Sequence, residues 1–281
     1  MRPMTDLIPR YLRWAQAQGM SPRTIDGRDG ILRRADAQLP CGLEDVDEQE
    51  IVEWLNAPNA RSKKRRSLAT LSNYWYTLAS FYDWATRPGN AEWDSNPMLD
   101  LVPPKTIAGR SRGLPRSVVD DVLERAENPY RLFVTLSLYS GLRCIEIGGL
   151  DRADVSEQRI DVRDAKGGSP QVAFGHPEIW AAVKDMAPGN LVEQVGGVAD
   201  ASWISIRSAL YFRRKLGHVI SLHRFRHTFA CRLREQGADL FVIKKAMRHA
   251  SVRSTEIYAE AGDGEVATAV ANLPAPTRKA A

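Results

Sequence analysis

Apolar residues recur at helical spacing along most of the chain, and in only one short region do they alternate with polar ones. Leu7, Tyr11, Trp14 and Ala15 predict a helix over residues 6–18 that Gly19 ends. Ser21 followed by Pro22 has the form of an N-cap with proline at the first helical position, opening a helix that runs to Leu39. Gly27 and Gly30 inside it lower helix propensity and leave room for close backbone approach. Two further helices are expected over 47–56 and 62–86. The last carries Tyr74, Trp75, Tyr76, Phe81, Tyr82 and Trp84 at the spacing of a buried face.

The pattern then breaks. Pro103, Pro104, Gly109, Arg110, Arg112 and Gly113 fall in one polar stretch, the composition of an exposed linker. A chain of 281 residues suits two cores better than one. The expected division is a domain over 1–102, a linker over 103–113 and a second domain over 114–281. In the second, helices are expected over 117–126 and 130–139, with Gly141 interrupting and a short helix following from Leu142. Ile160 and Val162, then Val172 and Phe174, alternate with other residues on either side of a turn at 165–170, which predicts a β-hairpin. Helices resume at Pro177 and continue almost to the end. The fold class is mainly α: a four-helix domain, then a mostly helical domain with one small antiparallel sheet.

Composition adds limits. Hydrophobic residues at 43% and charged residues at 26% describe an ordinary globular protein. Charges interrupt every apolar run short of bilayer length, and residues 1–10 lack the apolar centre of a secretory signal. Cys41, Cys144 and Cys231 are odd in number and widely spaced, so neither a disulfide framework nor a zinc site is expected, and the cytoplasm is the expected compartment. A formal net charge of +5 permits a polyanionic partner. Arg61, Lys63, Lys64, Arg65 and Arg66 sit within six positions, and Arg23 and Arg28 lie on the second helix. These are candidates for DNA phosphate contacts; a solvated helix end is the alternative for the cluster.

Four separated segments carry candidate chemistry. In Ser-Gly-Leu-Arg-Cys-Ile-Glu (140–146), Arg143 and Glu146 share a helix face, as in many ordinary ion pairs. Lys166 sits in the hairpin turn, where exposed lysines commonly serve solubility. In Leu-His-Arg-Phe-Arg-His-Thr-Phe-Ala (222–230), Leu222, Phe225, Phe229 and Leu233 form an apolar stripe behind Ser221 as cap, while His223 and Arg226 share another face. In Met-Arg-His-Ala-Ser-Val-Arg-Ser-Thr-Glu-Ile-Tyr (247–258), His249 closes one helix and Tyr258 stands in the second turn of the next. Alone, Tyr258 is equally an amphipathic surface residue.

Taken together and in order, these segments resemble the tyrosine recombinase (phage integrase) family, of the simple type without an N-terminal arm-binding domain. The resemblance places the family's catalytic positions on Arg143, Lys166, His223, Arg226, His249 and the nucleophile Tyr258, with Glu146 as supporting acid. It makes 1–102 a core-binding domain and 114–281 the catalytic domain. It also departs from the family: Leu-Gly usually precedes the second histidine, where this chain has Met247 and Arg248. Losing that glycine bears on the tightness of the local turn.

The resemblance implies a site-specific recombinase acting on double-stranded DNA through a 3′-phosphotyrosine. It needs no metal or other cofactor and works as a synaptic tetramer, with a DNA-bending or directionality protein as possible accessory. Phage or mobile-element integration and excision is the expected setting. The alternatives are a chromosome-dimer resolvase, a type IB topoisomerase-like enzyme and a non-catalytic DNA-binding regulator. The apolar stripe of Val266, Val270 and Leu273 after Gly262-Asp263-Gly264 either folds back on its own domain or, as the family implies, docks on a neighbouring protomer.

Overall fold

The computed structural model describes residues 4–58, 63–91, 93–105, 113–163 and 170–249. It divides into two compact units, Met1–Ile107 and Ala108–Ala281.

The first unit holds α1 (Met4–Ala17), α2 (Pro22–Gln38), α3 (Glu48–Asn56) and α4 (Leu68–Ala85). Gly19 takes the left-handed conformation at φ 83° and ends α1, while Ser21 Oγ accepts from the Thr24 N–H to start α2. A full capping box opens α3, in which Asp47 and Glu50 each accept the other's backbone N–H. The fourth helix starts later than its periodicity suggests. Ser67 caps it by accepting from the Thr70 N–H, and Lys63 ahead of it lies at φ 55°, outside helical space. The basic stretch therefore precedes the helix. Tyr11, Leu32, Leu43, Ile51, Leu78, Phe81, Tyr82 and Trp84 fill the core. Of the aromatic run on α4, Tyr74 is also buried, Trp75 packs on the rim and Tyr76 faces solvent. Gly27 and Gly30 are exposed, and nothing approaches where their side chains would be.

The second unit is built around α6 (Tyr130–Ser140), buried along nearly its whole length. Ahead of it lies α5 (Arg116–Arg125), and after it come α7 (Cys144–Gly148), a single 3-10 turn at Arg152–Asp154, and the hairpin of β1 (Arg159–Val162) and β2 (Gln171–Phe174). The strands are antiparallel, pairing Arg159 with Phe174 and Val162 with Gln171; the connecting turn lies outside the described residues. Ile160 and Val162 point into the core as expected. On β2 the buried residue is Ala173, while Val172 and Phe174 face outward. The small side chain sits against the packed layer, and period two then forces its larger neighbours to the other face.

The chain continues through α8 (Pro177–Val183), α9 (Leu191–Gln194), α10 (Ala201–Tyr211) with a π-helical turn to Leu216, α11 (Leu222–Glu235) and α12 (Leu240–Met247). On α11, Leu222 and Phe225 are buried, and Phe229 and Leu233 join a smaller cluster with Ile243 and Met247 of α12. Ser221 occupies the cap position of α11 but makes no side-chain cap bond. No helix among the described residues is long and apolar enough to cross a membrane.

Candidate active site

The site grows from the ends of three helices. α6 stops at Gly141, in left-handed conformation at φ 61°. A Cβ there would stand 2.7 Å from the Phe229 ring, so glycine is required both for the turn and for α11 to pack this closely. Two residues on, Arg143 caps α7, and Glu146 in the first turn accepts the Arg143 backbone N–H at 2.8 Å. The same carboxylate takes the Arg143 guanidinium at 2.7 Å. Glu146 is completely buried, whereas the Arg143 side chain remains 23% exposed. Arg143 is thus anchored at one end and open to solvent at the other.

From α11, Arg226 enters behind this pair. It is 1% exposed and donates to the carbonyl oxygens of Gly141 and Met247, tying the end of α6 to the end of α12. Both acceptors are carbonyls that a helix terminus leaves unpaired, where a cation is favoured. Its Nη1 stands 4.0 Å from Glu146 Oε2. His223, one turn earlier on α11, is exposed, and its ring meets that of His227 edge-to-face at 4.5 Å.

The end of α12 supplies two more groups. Arg248 takes the left-handed conformation, and its guanidinium turns back to Glu146 Oε2 at 2.7 Å. His249, half-buried, follows directly. Arginines 143, 226 and 248 therefore surround a single carboxylate, leaving an excess of positive charge suited to an anion.

The protonation states follow from this arrangement. Burial alone would raise the Glu146 carboxyl; the charge of Arg248, then the N–H and charge of Arg143, more than reverse that and hold it ionised. His249 is pushed down to about 4, first by burial and then by the charges of Arg226 and Arg143. His227 also falls to about 4, through burial, His223 and the neighbouring arginines. Desolvation, then Arg226 and Arg143, lowers His223 as well. Arg226 and Arg143 act on both His223 and His249, so these four groups form one electrostatic unit. At neutral pH the rings of His227 and His249 are uncharged donors beside fixed cations.

Among the residues expected to act, Arg143, Glu146, His223, Arg226 and His249 come together; Lys166 and Tyr258 lie outside the described residues. Sequence reasoning missed Arg248 and His227. The signal for Arg248 was present as a non-glycine residue where a helix must turn back on itself. Among the described residues no group of three or more His, Cys, Asp or Glu side chains converges as a metal site requires.

In the first unit the basic candidates divide. Arg23, Lys63, Lys64 and Arg65 are exposed, and Arg61 lies outside the described residues. Arg66 turns inward: its guanidinium lies 5.0 Å from the Trp54 ring centre and 5.1 Å from that of Tyr74, and donates to the carbonyls of Trp54 and Leu55. Desolvation by these rings lowers its pKa. Arg28 likewise reaches the Tyr11 hydroxyl and Ser80 Oγ. Both are engaged by the protein itself.

A model of the phage integrase family matches residues 203–265, a span that includes His223, Arg226, His249 and Tyr258. The tyrosine recombinase XerC of Corynebacterium efficiens is 26% identical over 266 residues, covering 85% of this chain and 81% of XerC. The tyrosine recombinase XerA of Pyrococcus horikoshii is 26% identical over 215 residues, 70% of each chain. Residues 75–356 of lambda integrase, solved as a dimer bound to a COC′ core site, share the fold with a TM-score of 0.69 at 18% identity, over 89% of this chain and 96% of that one.

Proposed function

We propose that the chain belongs to the tyrosine recombinase (phage integrase) family and that it cuts and rejoins double-stranded DNA at specific sites through a covalent bond to Tyr258. The observation that carries this is the convergence of Arg143 and Arg226 on buried Glu146, with His223 and His249 in the field of both arginines. In the reaction the Tyr258 phenol oxygen attacks the scissile phosphorus, the bond to the 5′ oxygen breaks, and a 3′-phosphotyrosine results. His223 assists transfer of the phenolic proton, and Lys166 protonates the departing 5′ oxygen. A 5′ hydroxyl from another strand then attacks the phosphotyrosine and releases Tyr258. The energy of the cut bond is kept in the ester, so the cycle runs without ATP.

Negative charge develops on the non-bridging oxygens during both steps. Arg143 and Arg226 hold those oxygens with permanently charged, planar donors, and His249 adds an uncharged one. Arg143 meets the phosphate first because it alone of the three arginines is substantially exposed. Arg143→Ala should therefore bind DNA but slow single-turnover cleavage by roughly 10²–10³, the effect of deleting a transition-state donor.

The first unit serves as the core-binding domain, with Arg23 and the loop of Lys63, Lys64 and Arg65 on DNA phosphates. Neutralising Lys64 and Arg65 together should lower affinity equally for all sequences and flatten the salt dependence by about two phosphate contacts. Arg66→Ala should instead lower the stability of this unit, since it removes a cation packed against the stacked rings of Trp54 and Tyr74. Equal salt slopes before and after neutralisation would return the loop to a merely solvated role.

The protein assembles as a tetramer on two DNA sites in the cytoplasm, in phage or mobile-element integration and excision. The match to XerC over most of the chain favours one second reading, the resolution of chromosome dimers. Incubation with a library of nicked duplexes, denaturing isolation of covalent adducts and sequencing of the trapped ends tests both. Element attachment sites support the first, a chromosomal terminus site the second, and no adduct on any duplex overturns the recombinase reading.

A further inference from the structure

We propose that Arg248 is a positioning residue for the cleavage reaction: it ties the end of α12, and with it His249, to the buried Glu146 carboxylate. The inference rests on the recombinase reading above.

The turn itself is the first observation. Arg248 lies at φ 52° and ψ 47°, the conformation that glycine adopts without cost and that a residue bearing a Cβ resists. It ends α12 in a Schellman arrangement, in which the Arg248 N–H bonds Lys245 O and the His249 N–H bonds Lys244 O, each at 3.1 Å. Glycine would make this turn more easily. An arginine held there needs compensation from its side chain.

The side chain supplies it. Arg248 is 8% exposed overall, and its guanidinium bonds Glu146 at 2.7 Å, Gly141 O at 3.0 Å, and Ser140 O and Ala246 O at 3.2 Å each. One rigid fork therefore joins the last turn of α6, the first turn of α7 and the last turn of α12. Its Nε is buried without a hydrogen-bond partner, so the group is not placed there for its own solvation. What the contacts achieve is a fixed distance between the segment carrying His249 and the carboxylate that also orients Arg143. With Arg248 on Oε2, Arg226 Nη1 stays 4.0 Å away and keeps its bonds to Gly141 and Met247. Arg248 thus supplies the countercharge for Glu146 without drawing Arg226 onto it.

Arg248→Gly and Arg248→Lys in the full-length chain test this, using a nicked duplex recovered by covalent trapping with the unaltered protein. The glycine variant keeps the turn and loses the tether. Its DNA dissociation constant should change little, while single-turnover cleavage falls about 10–10²-fold, the loss expected when a reacting group shifts by about an ångström. The acid limb of its pH–rate profile should move upward. Glu146 would then keep Arg143 at 2.7 Å and Arg226 at 4.0 Å, and without the Arg248 charge both Glu146 and His249 would bind protons at higher pH. The lysine variant, which retains charge but not the fork, should cleave at an intermediate rate, and it carries the measurement if the glycine variant does not fold. Cleavage by the glycine variant at the unaltered rate with an unmoved acid limb overturns the proposal. Should the unaltered protein form no adduct with any DNA, the recombinase reading fails first. The positioning role is then decided on the DNA-free protein: faster hydrogen exchange at the His249 amide in the glycine variant supports it, and unchanged exchange overturns it.

Discussion

Tyr258→Phe should bind its DNA site as the unaltered protein does and form no covalent protein–DNA adduct. A phenol with an ordinary pKa of about 10 is a poor nucleophile at neutral pH until a base takes its proton or cations favour its ionised form. The second unit provides both: three guanidiniums around one carboxylate, and the rings of His223 and His249 within the field of two of them. Phenylalanine leaves that cation cluster intact, so phosphate binding survives while the attacking oxygen is gone. Tyr258 lies outside the described residues, and its assignment rests on its distance along the chain from His249 and on the resemblance to the tyrosine recombinase family. A nicked duplex that traps the cleaved strand, run on a denaturing gel, gives the answer. Any denaturant-resistant adduct with the Phe variant sinks the assignment.

Glu146→Ala should destabilise the second unit by roughly 3–5 kcal/mol, the usual effect of removing one partner from a buried ionic cluster. Arg226 and Arg248 would lose the buried carboxylate they share, and Arg143 would lose both anchors of its cap. Glu146→Gln, whose amide oxygen still accepts a hydrogen bond, should lose less. Urea unfolding followed from pH 7 down to about pH 2 separates the contributions. His227 and His249 titrate near 4 in the folded chain and near 6.5 when unfolded, so the unfolded state binds protons first and stability declines as pH falls from about 6.5. The Glu146 carboxyl is held below its ordinary 4.5, so its contribution is complete above that value and is lost as pH falls through the folded pKa. The Ala variant should keep the histidine-driven decline and lose only the steeper acid portion. An Ala variant as stable as the unaltered protein at pH 7 would show that the cluster is not held by its carboxylate.

Much of this was legible in the linear pattern. The Ser21-Pro22 cap, Gly19 and Gly141 as stops, and the period of two at Ile160 and Val162 are local signals, and the backbone obeys them. Helical spacing made the shared faces of Arg143 with Glu146 and of His223 with Arg226 readable, while His249 and the grouping of all five came from the family resemblance. What escaped was decided at a distance. Arg66 and Arg65 are neighbours in one charge run, yet Arg66 turns inward onto the stacked Trp54 and Tyr74 rings and the carbonyls of Trp54 and Leu55, which no count of charges reveals. Val172 and Phe174 look like core residues until Ala173 is seen to occupy the packed face. The departure at Arg248 was visible as a missing glycine. Its meaning depends on a carboxylate far back in the chain and on carbonyls at the end of another helix.

The clamped Arg66 has a thermodynamic consequence for DNA association. With its guanidinium packed against the stacked Trp54 and Tyr74 rings and bonded to the carbonyls of Trp54 and Leu55, the basic loop is fastened at its C-terminal end before any DNA arrives, and Ser67 fixes the helix that follows. The conformational entropy that remains to be lost on contact is therefore that of a few exposed side chains rather than of a free loop. Release of condensed counterions from the phosphates, itself an entropic gain, then meets less opposition. Association through this unit should be driven by entropy, with a small enthalpy that hardly depends on the DNA sequence.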